Sequence, residues 1–211
     1  MPDLDPAQLA PRSVYRLLTS LVAPRPIAWV STVAADGTLN LAPHSYFNLV
    51  SHRPPIVHFT SSGDKDSLRN ARATGEFVIN VVTRDLVDAM NLTSADFPPD
   101  ESEFAWAGLQ TSPSACVRPP RVAASKAALE CRVESILPKG SGTMVFGEVV
   151  HVHVHDDVWR EDAVDPNLLH LVGRLGGDSY ADTRRVFDLP RPSWRQLREH
   201  SSPPTPPTPP T

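Results

Sequence analysis

Between residues 24 and 80 the chain sets hydroxyl, amide and small side chains between short apolar runs. Ser31 and Thr32 lie near the end of one run. Asn40, Ala42 and Pro43 lie in the next, followed by Ser45, Tyr46, Phe47 and Asn48, with Ser51 just beyond. Small side chains let backbone N–H groups approach a flat ring, and the polar side chains can meet its hydrogen-bonding edge. A phosphate dianion is best held by a helix N-terminus, free backbone N–H groups and a cation. Asp64-Lys65-Asp66-Ser67 offers these where a helix is expected to open, with Lys65 as point charge and Ser67 as hydroxyl donor. A capped surface helix with a solvated lysine has the same spacing. Arg25 is a second candidate cation, unless it pairs with an acidic residue where its strand begins. Tyr46 and Phe47 can stack on a ring or belong to the core, and Trp29, in mid-strand, reads as barrel core.

His151, His153 and His155 alternate along one strand, so period two places them on one face. That face is expected to be a polar solvent or interface face, opposite Phe146, Val150, Val152 and Val154. Proximity to a partner's bound ligand and a metal site are the other readings. The further ligands of a cupin-like metal site do not occur in register. Gly173-Arg174-Leu175-Gly176-Gly177 allows close backbone approach, to a second subunit or to a ligand, but is not a dinucleotide fingerprint. Cys116 and Cys131 form no CxxC and are expected as small, buried or half-buried side chains.

These residues must be positioned by strands. Ile27 to Val33, Leu39 to Phe47 and Pro55 to Thr60 read as the first three, with Ala35-Asp36-Gly37-Thr38 as a hairpin turn. Asp64 to Ala73 reads as a helix with Ser61, Ser62 or Asp64 as N-cap and Gly75 as its stop. Glu76 to Val82 is a fourth strand and Arg84 to Leu92 a second helix. Residues 93 to 125 form a long polar excursion, and Ala127 to Ile136 and Thr143 to Asp156 are long strands. The pattern predicts a mainly β fold, an antiparallel barrel of six or seven strands with peripheral helices. Residues 1–22 are expected as a helical extension, 23–190 as the barrel domain, and 191–211 as a proline-rich disordered tail.

The chain has 211 residues, 40% hydrophobic and 21% charged, with a formal net charge of −4. That balance supports a packed core and speaks against a nucleic-acid partner. No apolar run reaches the roughly 20 residues that span a bilayer, so no membrane partner is expected. MPDLDPAQLAPRS lacks the features of a signal peptide, and a reduced cytoplasmic location is expected.

Several ordered motifs carry a family resemblance. They are Pro24-Arg25-Pro26-Ile27-Ala28-Trp29-Val30-Ser31-Thr32, Asn40-Leu41-Ala42-Pro43, Ser45-Tyr46-Phe47-Asn48, Lys65-Asp66-Ser67 with Asn70, and Gly75-Glu76-Phe77-Val78-Ile79-Asn80. Further on come Ser94 to Pro98, Glu101-Ser102-Glu103-Phe104, Leu129-Glu130-Cys131, Gly147-Glu148-Val149 and the Gly173 to Gly177 run with Tyr180. Over roughly residues 14 to 190 the chain resembles the flavin reductase-like, FMN-binding split-barrel family. The resemblance implies a split β-barrel, a homodimer, bound FMN, and hydride delivery from NADH or NADPH. It also implies Arg25, Ser31, Thr32, Asn40, Ala42, Pro43, Ser45–Asn48, Ser51, Lys65 and Ser67 as candidate cofactor contacts. No protein acid or base is required, because the flavin carries the chemistry. His44 stands where the family tends to have an aromatic residue, and it is the one candidate for a catalytic part. Ser67 stands where threonine is usual and keeps the hydroxyl.

The sequence therefore predicts an FMN-binding, NAD(P)H-dependent flavin reductase serving a partner oxygenase or another acceptor. The competing expectations are an FMN carrier or sensor without turnover, and a metal-dependent barrel enzyme using the His151 to His155 strand.

Overall fold

The computed structural model describes residues 3–199; the repeat from Ser201 to Thr211 lies outside them. Helix α1 (Pro11–Leu21) precedes strands β1 (Arg25–Pro26), β2 (Ala28–Val33), β3 (Leu39–His44), β4 (Phe47–His52) and β5 (Pro55–Ser62). Then come α2 (Asp66–Thr74), β6 (Glu76–Val81), α3 (Val87–Leu92) and α4 (Glu103–Trp106). β7 (Thr111–Ser112) pairs with β8 (Arg121–Val122), so the 93–125 excursion carries only α4 and this short ladder. β9 (Ala127–Lys139) and β10 (Gly142–Val154) form a long hairpin. The chain continues through β11 (Trp159–Arg160), β12 (Ala163–Val164), α5 (Pro166–Leu169), β13 (Val172–Arg174), β14 (Tyr180–Asp182) and α6 (Trp194–Glu199).

Seven strands make one antiparallel sheet in the order β3-β2-β6-β9-β10-β5-β4. β3 and β4 are its two outermost strands, yet only Ser45 and Tyr46 separate them in the chain. The sheet therefore curls until its ends meet. The His44 ring on β3 lies 4.8 Å from Phe59 on β5, and Thr60 N donates to Tyr46 O at 2.8 Å. A two-residue link closes the circle where a ladder of hydrogen bonds would otherwise run, so the fold is a split barrel with peripheral helices. The sequence reads Leu39 to Phe47 as a single strand. The structure breaks it at Ser45, because the chain crosses there from one end of the sheet to the other.

The core has two layers. Ala28, Val30, Phe59, Phe77, Ile79 and Val145 fill the barrel, and Leu68 and Ala71 of α2 pack into it. Burying each large apolar side chain contributes about 1.5–3 kcal/mol. Ile27, Trp29, Leu41, Met90, Phe104 and Val122 form a second cluster between the sheet and α3, α4 and β8. β2 is thus buried on both faces, which explains the consecutive apolar Ala28, Trp29 and Val30 at its start; the buried Ser31 and Thr32 that follow are hydrogen-bonded. Trp29 is fully buried but belongs to this outer cluster, not to the barrel interior, and its Nε1 donates to Thr93 Oγ1 at 2.8 Å.

Two β-bulges interrupt the β9–β10 ladder, at Phe146/Gly147 and Val149/His151. The second shifts the alternation on which the histidine reading rests. His151 and His153 still share a face, with ring centroids 4.6 Å apart, but Val152 opposite them is half exposed. His153 Nε2 meets Glu130 Oε1 at 2.5 Å, and His155, beyond the strand, pairs with Asp157 at 3.2 Å. Among the described residues no group of three His, Cys, Asp or Glu side chains could hold a metal ion. Cys131 is buried and its thiol is pushed up by burial. Cys116 is exposed, contrary to expectation, because its loop turns the backbone N–H, not the side chain, toward Glu130. The glycines of the 173–177 run approach their own chain. A Cβ at Gly173 would lie 2.9 Å from Pro24 Cβ, and one at Gly176 would lie 2.4 Å from Ser20 Oγ.

Candidate functional site

A cleft of about 450 Å³ opens where the barrel is split. The end of β3 from Ala42 to His44, the Ser45–Tyr46 link, and Thr60 and Ser62 of β5 form one wall. The start of α2, from Asp64 to Ser67, and the stretch Thr93 to Phe97 form the other, with Tyr15 of α1 at its rim.

The N-terminus of α2 is built to leave its first turn free. Lys65 is the N-cap residue and no side chain caps the helix. The expected caps are otherwise engaged: Ser61 Oγ donates to Gly63 O at 2.9 Å, and the Asp64 carboxylate pairs with Arg72 at 3.5 Å. Helix N–H groups without a cap are available to an anion. The Lys65 ammonium meets the Asp96 carboxylate across the cleft mouth, and that contact holds the Asp96 carboxyl below its ordinary value. Both side chains are largely exposed, so the pair is easily displaced.

Behind the helix start lies a buried polar network. With the Asn40 amide oriented to satisfy both ends, its nitrogen donates to Glu103 Oε1 at 3.2 Å. Its oxygen accepts from Thr32 Oγ1 at 3.2 Å and from Ser67 Oγ at 3.1 Å. Glu103 Oε2 accepts from Leu41 N at 2.8 Å, and burial pushes the Glu103 carboxyl up while that hydrogen bond opposes it. The Ser67 hydroxyl, expected to face a phosphate, is thus committed to Asn40.

His44 lines the cleft, and its Nε2 is buried and has no partner among the described residues. Burial pushes its pKa from the ordinary 6.5 down to about 4, against a hydrogen bond with the Thr60 backbone.

The cleft gathers Asn40, Ala42, Pro43, His44, Ser45, Tyr46, Lys65 and Ser67. The other candidates lie elsewhere. Arg25 is buried, and its guanidinium donates to the Val22 carbonyl at 2.8 Å, to that of Leu175 at 2.9 Å and to that of Thr19. It ties the end of α1 to the glycine-rich run and has no acidic partner among the described residues. Ser31 Oγ donates to Pro120 O at 2.6 Å, and Thr32 is buried beside Asn40 and Asn70. Phe47 packs against the barrel core, Asn48 Oδ1 accepts from Leu49 N at 2.8 Å, and Ser51 Oγ accepts from Arg53 N at 3.1 Å. Sequence reasoning gave no ligand contact to Tyr15, Thr60, Ser62, Asp96, Phe97 and Glu103, which the fold brings to the same cleft. Asp96, Phe97 and Glu103 lay in motifs that carried the family resemblance, and Ser62 was an N-cap candidate, but none was singled out as a ligand contact.

A second cavity, of about 530 Å³, lies between α3 and β13–β14. There the Arg174 guanidinium stands 4.4 Å over the Tyr180 ring and bonds its hydroxyl, which donates to Asn91 Oδ1 at 3.3 Å.

Residues 21–176 match the family described as flavin reductase like domain. The crystal structure of nitrilotriacetate monooxygenase component B from Bacillus cereus superposes with a TM-score of 0.86 at 34% identity, over 90% of this chain and 98% of that one. The 2-nitrobenzoate 2-nitroreductase NbaA of Pseudomonas fluorescens superposes with a TM-score of 0.86 at 31% identity, over 92% and 98%. The reductase subunit HsaB of a flavin-dependent monooxygenase from Mycobacterium tuberculosis is 31% identical over 68% of this chain and 72% of its own.

Proposed function

The chain belongs to the flavin reductase-like family, and from that premise we propose that it is an FMN-binding oxidoreductase of the cytoplasm. NADH or NADPH reduces the flavin, and a partner oxygenase or another acceptor takes the electrons. The observation that carries this reading is the convergence, in one cleft, of an uncapped helix N-terminus, a cation and the backbone at the barrel's split. Bound FMN supplies the ring position that accepts hydride.

The chain's own residues supply position and exclusion of water. The uncapped first turn of α2 and the Lys65 ammonium would hold the phosphate, with Asp96 giving up its partner. Ala42, Pro43, Ser45 and Tyr46 bed the ring, and Phe97 narrows the opening. The oxygenase partner is supported by the names of component B and of HsaB. An apolar groove of about 320 Å³, lined by Pro24, Ile27, Phe47, Leu129 and Leu171, supports a homodimer, as do the exposed Leu49 and Val152.

The test is the absorption spectrum of purified protein titrated with FMN, FAD and riboflavin, then with NADH and NADPH. Lys65→Ala is expected to weaken FMN binding about tenfold and to leave riboflavin binding unchanged, since one charge-assisted contact to the phosphate is lost. Absence of flavin binding sinks the proposal. Binding without reduction by either nicotinamide leaves a flavin carrier.

A further inference from the structure

Beyond β14 the chain leaves the barrel as an arm. From Arg184 to Arg198 every residue is exposed, and Val186, Phe187, Leu189, Trp194 and Leu197 among them are large and apolar. Phe187 and Leu189 are 86% and 84% exposed, more than any other large apolar side chain described. The end of the arm is nevertheless shaped. Ser193 N donates to Gln196 Oε1 at 2.8 Å, and Gln196 N donates to Ser193 Oγ at 3.3 Å, a reciprocal cap at the start of α6. The cap opens a helix of six residues, too short to persist in water unaided. Trp194 and Leu197, three apart, share one face of it. A capped short helix with an apolar face is built to lie against a surface.

A matching surface lies where the arm begins. Asp182 and Thr183 line the edge of the apolar groove of about 320 Å³ walled by Pro24, Phe47, Leu129 and Leu171. Thr183 N donates to Leu171 O at 3.0 Å, and the Arg184 guanidinium pairs with Asp182 at 2.7 Å. The chain is pinned at the groove's edge yet does not enter it. Pro190 and Pro192 fix their own φ angles and stiffen the arm against folding back. Extended, the stretch from Arg184 to Pro192 reaches about 30 Å.

Charge favours a second copy as the owner of the receiving groove. Residues 184–199 carry five arginines against Asp188 and Glu199, whereas residues 1–182 carry 15 basic and 22 acidic side chains. Two acidic bodies repel, and a basic arm that reaches across offsets the repulsion.

We propose that the arm, residues 184–199, crosses to a second copy of this chain and seats its apolar side chains in that copy's groove, while the second arm does the same in return. Exchange about a two-fold axis uses each arm and each groove once and closes the assembly at two chains. This rests on the homodimer in the reading above and names the segment that holds it; flavin binding does not enter.

The experiment measures mass by light scattering over a dilution series. It compares the full chain, a chain ending at Arg185, and full-length Phe187→Asp/Leu189→Asp. The shortened chain keeps β14 and the Asp182–Arg184 pair. The double variant alters only exposed side chains, so it stays informative if the shortened chain fails to fold. The full chain is expected as a dimer, and both variants should dissociate at about hundredfold higher concentration, because buried apolar area is lost twice per dimer. A second readout separates exchange from an arm lying in its own groove. Leu171→Cys/Phe187→Cys in a Cys116→Ser background is treated with a short bismaleimide. Covalent dimers are expected; a cross-link confined to single chains overturns the proposal. A dimer whose dissociation neither variant changes also overturns the exchange and leaves the homodimer standing. A monomeric full chain overturns both.

Discussion

Two buried glutamates, Glu103 and Glu130, behave in opposite ways. Glu103 stands behind the cleft on α4, and burial drives its carboxyl upward against a backbone hydrogen bond from Leu41. Glu130 is fully buried on β9 beneath the loop after Ser112. Burial raises its carboxyl too, but His153 and the N–H groups of Ala115 and Cys116, each at 2.6 Å, outweigh burial and leave it below the ordinary value. The number of donors, not the depth, decides which carboxylate stays charged. On the closed wall of the barrel a charge is fully solvated by the protein and pins a loop. At the split, the polar groups are partly unspent.

Glu130→Ala gives the sharpest contrast. It strands two backbone donors and a histidine, and should cost about 3–5 kcal/mol in urea unfolding at pH 7. A loss no greater than that of Glu103→Ala would erase the distinction. Next is Gly147→Ala on the same wall. A Cβ there would lie 2.3 Å from Phe77 Cζ and 3.1 Å from Cys131 Cβ, so overpacking of about 1–3 kcal/mol is expected. Ala42→Ser, a comparable enlargement at the open cleft, should change the urea midpoint far less.

The pH dependence separates the groups by sign. Glu130 lies below its ordinary 4.5, so its stabilisation is complete above that value and is lost as pH falls through its lower folded value. Glu103 lies above 4.5, so its contribution is greatest below that value and is lost as pH rises through the raised one. The depressed His44 and His58 add stability that is full above 6.5 and declines on acidification, for His44 down to about pH 4. Urea midpoints between pH 7 and 4 should fall in the wild type and fall less in His44→Phe. The smallest effect expected is that of Glu103→Gln. An amide keeps an acceptor for Leu41 N and removes a disfavoured charge, so stability at pH 7 should move by less than about 1 kcal/mol.

Much of this was legible from periodicity and turn chemistry. The Asp36-Gly37 turn, the strands around it and the α2 helix follow from local rules, and Lys65 and Ser67 reached the cleft because they sit where that helix starts. Contacts between distant segments were not legible. Thr32 and Ser31 alternate as strand residues must, but nothing local says that Asn40 and the Pro120 carbonyl claim their hydroxyls. The shared face of His151 and His153 follows from period two, but the residue inserted near Val150, ahead of them, was not legible, because a bulge leaves no mark in composition. Glu130 was marked only as part of a motif, since a buried carboxylate and a surface one look alike until their donors are placed.

The Glu103 contact has a consequence beyond its own energy. β3 ends the sheet, and an unpaired outer strand invites a strand from another molecule to dock and begin aggregation. Leu41 N, one of its outward donors, is taken by the Glu103 carboxylate, and two residues on Pro43 has no N–H to offer. An approaching strand finds two successive docking points silenced. The barrel can thus stay open along one side while that side remains a poor template for other copies.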